Sequence, residues 1–166
     1  MTEPRHATLA TIAMVLGGVA IGVTEFVSMG LLPQIAVGVG ATIPQAGHAI
    51  SAYAVGVVIG APVIAAWGAS KPRKGLLLGL AAAIALANVL SAIAPSFNAL
   101  LAARVLAGLP HGAYFAVATL VAIDLAPTGQ AGRAVGRVML GIPIANLAGV
   151  PLATWMGQAL DRKSVV

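Results

Sequence analysis

Apolar residues along this chain fall into five nearly unbroken blocks, each long enough to cross a bilayer, separated by short polar or Pro/Gly breaks. The blocks cover residues 8–32, 46–67, 75–94, 99–123 and 134–160. A helix rises about 1.5 Å per residue, so some 20 residues cross the roughly 30 Å hydrocarbon core. Apolar-polar alternation of period two, the mark of a membrane β-barrel strand, is absent. The pattern predicts five transmembrane helices. Pro33 closes the first, and 38–44 reads as an uncharged, glycine-rich loop. Lys71-Pro72-Arg73-Lys74 forms a basic turn, and Pro95 ends the third helix before a tight Ser96-Phe97-Asn98 link. Asp124 to Gly132 is the last loop, and a tail follows from Asp161. A signal peptide would have a 7–15-residue apolar core; the first block is longer and contains Glu25, so it is a retained helix.

Composition changes the picture by excluding the soluble classes. Charged residues make up 8% of the chain, against about 25% in ordinary soluble domains, and the mean hydropathy is +1.01. Twenty glycines and ten prolines suit membrane helices that pack closely and kink. With no cysteine there are no disulfides and no thiolate metal sites, and no local His/Asp/Glu spacing favours another metal. The net charge of +5 is not a nucleic-acid signal, because the basic residues sit in short links. Arg5, Lys71, Arg73, Lys74, Arg133 and Arg137 fall on one side of the membrane; only Arg162 and Lys163 fall on the other. The positive-inside rule then puts the N-terminus in the cytoplasm. Trp67 and Trp155 lie near span ends, as interfacial aromatics should.

Chemistry concentrates in the fourth block. Arg104, Gly108, His111 and Phe115 share one helical face, and Pro110 leaves the carbonyl of Leu106 without its helical partner. A charge, a ring that titrates near neutral pH and a broken backbone hydrogen bond mark a polar pathway. Glu25 lies about 10 Å inside the far end of the first block, and Arg104 roughly 8 Å inside the fourth from the same side. Two readings stand. Either the two charges face one cavity, paired directly or through water, or Arg104 snorkels outward and Glu25 is hydrated or protonated. His111 is a proton relay or simply makes one interhelical hydrogen bond. Asp124 closes the fourth helix where the helix dipole disfavours an acid; either the basic turn 71–74 supplies its counter-charge as a latch, or it is a simply hydrated loop aspartate. In the fifth block Gly141, Ala145, Gly149, Ala153 and Gly157 form a ridge of small residues, with Pro143 and Pro151 allowing bends. A Gly68-Ala69-Ser70 match to a hydrolase motif lies by the basic turn with no base near it, so enzymatic activity is not expected.

The segments Gly22 to Pro33, Gly60 to Lys74, Arg104 to Gly112 and Gly141 to Pro151 occur in an order that resembles the N-terminal part of major facilitator superfamily transporters. The resemblance is to the twelve-helix drug:proton antiporter branch that includes arabinose-efflux-permease-like proteins, and it covers residues 8–160. It implies an all-α membrane fold, here five helices of an incomplete N-terminal six-helix half in a single partial domain, 1–166. It implies roles in proton or substrate handling for Glu25 and Arg104, with His111 beside them and protons as the coupling ion in place of any organic cofactor. Gly60, Lys71, Arg73 and Lys74 occupy the loop motif, which here lacks the family's aspartate. Gly141, Pro143, Gly149, Pro151 and Gly157 match the antiporters' fifth-helix motif. The expected function is proton-coupled efflux of small organic molecules such as sugars or drugs across the inner membrane. The partners would be the lipid bilayer and the C-terminal transporter helices, without which the chain would be inactive. The alternative is a non-transporting membrane subunit or a channel-like oligomer.

Overall fold

In hydrocarbon every backbone N–H and C=O must find a partner within its own segment, and for an unbroken apolar run the helix is the solution. The computed structural model describes residues 4–164, which contain helices and no strand. The helices are α1 (Pro4–Gly30), α2 (Leu32–Gly38), α3 (Ile43–Gly68), α4 (Arg73–Ala92), α5 (Phe97–Leu125), α6 (Ala131–Met139), α7 (Gly141–Ile144), a π-helical turn (Ala145–Gly149) and α8 (Val150–Ser164). The last four elements stack end to end as one span. Among the described residues there are thus five apolar spans of 20 to 29 residues.

Capping residues move the ends that hydropathy alone suggests. Thr42 and Gln45 form a reciprocal capping box, so α3 starts at Ile43 and takes Pro44 into its first turn. Ser96 accepts from the amide of Ala99 at 3.3 Å, which draws Phe97 and Asn98 into α5. Pro33 does not close the first helical stretch. The chain breaks at Leu31 instead, and Pro33 sits in the first turn of α2, where its missing N–H costs nothing. The expected glycine-rich loop shrinks to 39–42. Asp124 belongs to α5 and the loop after it to 126–130, while α8 continues past Asp161 to Ser164. The expected tails at 1–3 and 165–166 lie outside the described residues.

Three helix contacts organise the bundle. α3 and α5 run parallel and touch backbone to backbone: a Cβ on Gly56 would overlap the Val105 carbonyl, on Gly60 the Leu109 backbone, and on Gly108 the Tyr53 carbonyl. α4 packs antiparallel on the other flank of α5, and Leu80, Ile84, Tyr114, Val117, Ile21 and Val138 bring α1, α4, α5 and α6 into one core. α1 lies along the fifth span. Gly18 meets Gly141, Gly22 meets Ala145, Val23 meets Gly149, Gly30 meets Thr154, and Leu31 meets Gly157. The small-residue ridge therefore faces α1 from end to end.

Regular helix geometry would not allow that. Four residues turn about 400°, so a ridge repeating every fourth residue drifts about 40° per step and leaves its partner. The π turn, with its i→i+5 bonds, winds more slowly and takes back part of the drift. Pro151, which cannot donate to the carbonyl of Leu147, follows directly after it. Pro143 stands just beyond the break at Leu140 that separates α6 from α7.

Gly60→Val is expected to cost at least the ~1–3 kcal/mol of core overpacking, read as an earlier unfolding midpoint on titrating the detergent-purified chain with dodecyl sulfate. Gly79→Ala adds a Cβ that meets nothing within 4 Å, and the midpoint should hold or rise.

Candidate functional site

The close crossing of α3 and α5 sets the site. Gly108 clears the space through which Tyr53 of α3, only 3% exposed, reaches the face of α5 that carries Arg104 and His111. The Tyr53 hydroxyl and His111 Nδ1 share a hydrogen bond of 2.7 Å, with the rings edge to face. Phe115 holds the imidazole from the other side, its centroid 5.4 Å away. Arg104 turns inward and is 4% exposed, so it does not snorkel. Its guanidinium carbon lies 4.5 Å from the centre of the Tyr53 ring, and Nη1 donates to the Thr24 carbonyl of α1 at 3.5 Å. Nε and Nη2 are buried without a hydrogen-bond partner. A desolvated cation–π contact contributes about 2 kcal/mol, well short of what burying a guanidinium costs.

Glu25 is the acid that joins this cluster. Its Oε2 lies 3.8 Å from His111 Nδ1, the same nitrogen that Tyr53 engages. Glu25 and Arg104 form no ion pair among the described residues, so the direct pair that the sequence left open is not made: the arginine is taken up by the Tyr53 ring and the Thr24 carbonyl, and the acid points to the imidazole. The cluster thus joins α1, α3 and α5. Beside it, at the end of the bundle where α1 finishes and α5 begins, is a cavity of about 430 Å³ whose polar lining is Thr24, Ser28, Asn88, Ser91 and Arg104.

Tyr53 was not singled out by the sequence analysis. The available signal was a phenol deep inside an apolar span, since a buried tyrosine hydroxyl usually finds a partner.

At the opposite end, Arg73 in the first turn of α4 forms an ion pair with Asp124 in the last turn of α5, and also reaches the Leu120 carbonyl at 3.5 Å. Lys71 lies over the Trp67 ring at 5.2 Å, and Lys74 is exposed. Gly60 stands apart from this turn, buried against Leu109. Of the five residues considered for a latch, the structure brings Arg73 and Asp124 together.

This order of helices, with a buried arginine in the fourth span and a glycine-and-proline fifth span laid along the first, is matched by sequence comparison. Residues 14–165 fit the profile of the Major Facilitator Superfamily. The chain belongs to that superfamily. The Inner membrane transport protein YdhP of Escherichia coli K12 is 45% identical over 149 residues, which is 90% of this chain and 38% of YdhP. A "Chloramphenicol resistance protein" of Streptomyces lividans is 41% identical over 142 residues, 83% of this chain and 36% of that protein. A "Probable sugar efflux transporter" of Helicobacter pylori P12 is 32% identical over 160 residues, 96% of this chain and 41% of the relative. The chain spans about two-fifths of the length of these superfamily members. It is a multi-pass membrane protein of a transporter superfamily.

Two double-mutant cycles separate the contacts. The Arg73–Asp124 side chains are 43% and 60% exposed, so their coupling should be at most ~1 kcal/mol and disappear in high salt. The Tyr53–His111 coupling should be about 0.6 kcal/mol, the average for hydrogen bonds between membrane helices, with ~1.7 kcal/mol as the ceiling, and insensitive to salt.

Proposed function

We propose that these five helices belong to the N-terminal half of a proton-coupled exporter of small organic molecules in the inner membrane, with the N-terminus in the cytoplasm. The observation that carries this reading is the convergence of Tyr53 and Glu25 on one imidazole nitrogen. When Nδ1 is unprotonated it accepts the Tyr53 hydroxyl proton, which ties α5 to α3. When Nδ1 carries a proton it becomes a donor, and the carboxylate of Glu25 on α1 is the acceptor within reach. Arrival of a proton thus changes which helix the imidazole holds. Arg104 supplies a fixed positive charge that keeps the cluster electrostatically balanced while Glu25 is ionised. The charge pattern of the links supports the orientation, and the Arg73–Asp124 pair would fasten α4 to α5 on the cytoplasmic side.

Drugs or sugars are the substrate classes this reading favours, because two relatives carry chloramphenicol resistance and sugar efflux in their names. The adjoining cavity with hydroxyl and amide groups on an apolar wall suits such molecules. Alternating access requires two repeats moving about a site between them, and five helices provide less than one. The remaining helices are therefore obligatory partners, and the 166 residues alone should move no substrate.

The test is a hybrid that joins this chain to the C-terminal helices of the Streptomyces lividans relative. Chloramphenicol resistance should appear and collapse when the proton gradient is dissipated. Glu25→Gln and Arg104→Lys should each lower gradient-driven export roughly tenfold or more, the scale of a 1–3 kcal/mol coupling. Wild-type export by both variants, or gradient-driven flux by the 166-residue chain alone, would overturn the reading.

A further inference from the structure

A second concavity lies far from the charged cluster, between the end of α3 and the start of α4, and has a volume of about 440 Å³. Its walls are Ile64 and Trp67 on one side and Leu76 on the other, with Gly75 and Gly79 exposing the backbone of α4 as its floor. Nothing lies within 4 Å of a Cβ built on Gly79, so the groove is open there. Lys71 stands at its mouth over the Trp67 ring, and Trp67 is 62% exposed. Lys74 follows in the first turn of α4, also exposed.

Charge decides what fits. Among the described residues the acids are Glu25, near the far end of α1, Asp161, in the last turns of α8 at that same far end, and Asp124, engaged by Arg73. Lys71 and Lys74 therefore stand beside an apolar groove with no carboxylate paired to them. A soluble anion would leave the groove empty, and an uncharged acyl chain would leave the lysines unanswered. One molecule that satisfies both carries a phosphate on an acyl chain. The setting agrees: the groove begins at the span ends, where headgroups lie, and runs into the depth of the hydrocarbon beside the exposed side chains of Val63 and Leu78.

We propose that the α3–α4 groove is a binding site for an anionic phospholipid, with the phosphate between Lys71 and Lys74 and one acyl chain against Trp67 and the Gly75–Gly79 floor. This site does not depend on the transport reading. It would neutralise the two lysines that the Arg73–Asp124 pair leaves over, and it would place a lipid next to that pair.

Trp67 is a built-in reporter. In the Trp155→Phe chain it is the single tryptophan, and vesicles of phosphatidylcholine can be doped with phosphatidylglycerol brominated on the acyl chain near the headgroup. Brominated phosphatidylglycerol should quench Trp67 at a roughly fivefold or more lower fraction than equally brominated phosphatidylcholine. Lys71→Gln with Lys74→Gln should abolish that preference. So should Gly79→Leu, or Gly75→Leu as a second filling of the groove, each of which leaves the charge untouched. Equal quenching by the two lipids, or a preference surviving loss of the lysines, would overturn the proposal. A preference surviving both groove fillings would do so too, because it would mean diffuse attraction to the basic turn. Trp67 shielded from every brominated lipid would mean that another helix or a second copy covers the groove, and the site would fall.

Discussion

Glycines at 56, 60, 108 and 112 remove the side chains that would otherwise hold α3 and α5 a helix diameter apart. In lipid the helices gain little by hiding apolar surface from one another, so dispersion over close-packed backbone carries most of their association. The α3–α5 contact is the tightest of this kind in the described residues, and the polar interior follows from it. At a wider spacing the Tyr53 hydroxyl would not reach His111, and its ring would not lie against the Arg104 guanidinium.

A charge inside the bundle then dictates the rest of the neighbourhood. Arg104 is inserted where an isolated guanidinium is costly, and its environment answers it with a ring face from α3 and a carbonyl from α1, while the acid of α1 lies against His111. No two adjacent helices could have supplied this set. The cluster is a property of the assembled bundle, located where α1 meets the α3–α5 pair, and Arg104 also lines the adjoining cavity.

How much of this could be read in the sequence varies with the physics involved. The five spans were legible because an apolar run in lipid has one backbone solution, and the superfamily because four segments occur in its order. Span ends were less legible. Thr42, Gln45 and Ser96 extend helices through specific side-chain hydrogen bonds, and Pro33 starts a helix where a simple breaker rule has it end one. The inward face of α5 was readable from the spacing of Arg104, Gly108, His111 and Phe115. The detail of who pairs with whom was not, because rotamers rather than depth decide that Glu25 approaches His111 while Arg104 turns to Tyr53. Arg73 and Asp124 were readable as neighbours, since topology alone brings both to one end of the bundle. The π turn left no mark in the spacing: a strict repeat of four looks like a straight ridge, and only the coordinates reveal that it needs a change of winding.

That change of winding has a mechanical meaning. A uniform rod transmits any twist applied at one end to the other, so its two ends share a single azimuth. The fifth span is two helical segments joined at Ala145–Gly149, and each meets α1 on its own side of the joint: the first at Gly18, the second at Gly30. The joint rests against Gly22 and Val23, two residues before the acid on α1. The change of phase between the two segments therefore falls beside Glu25 instead of being spread along the membrane.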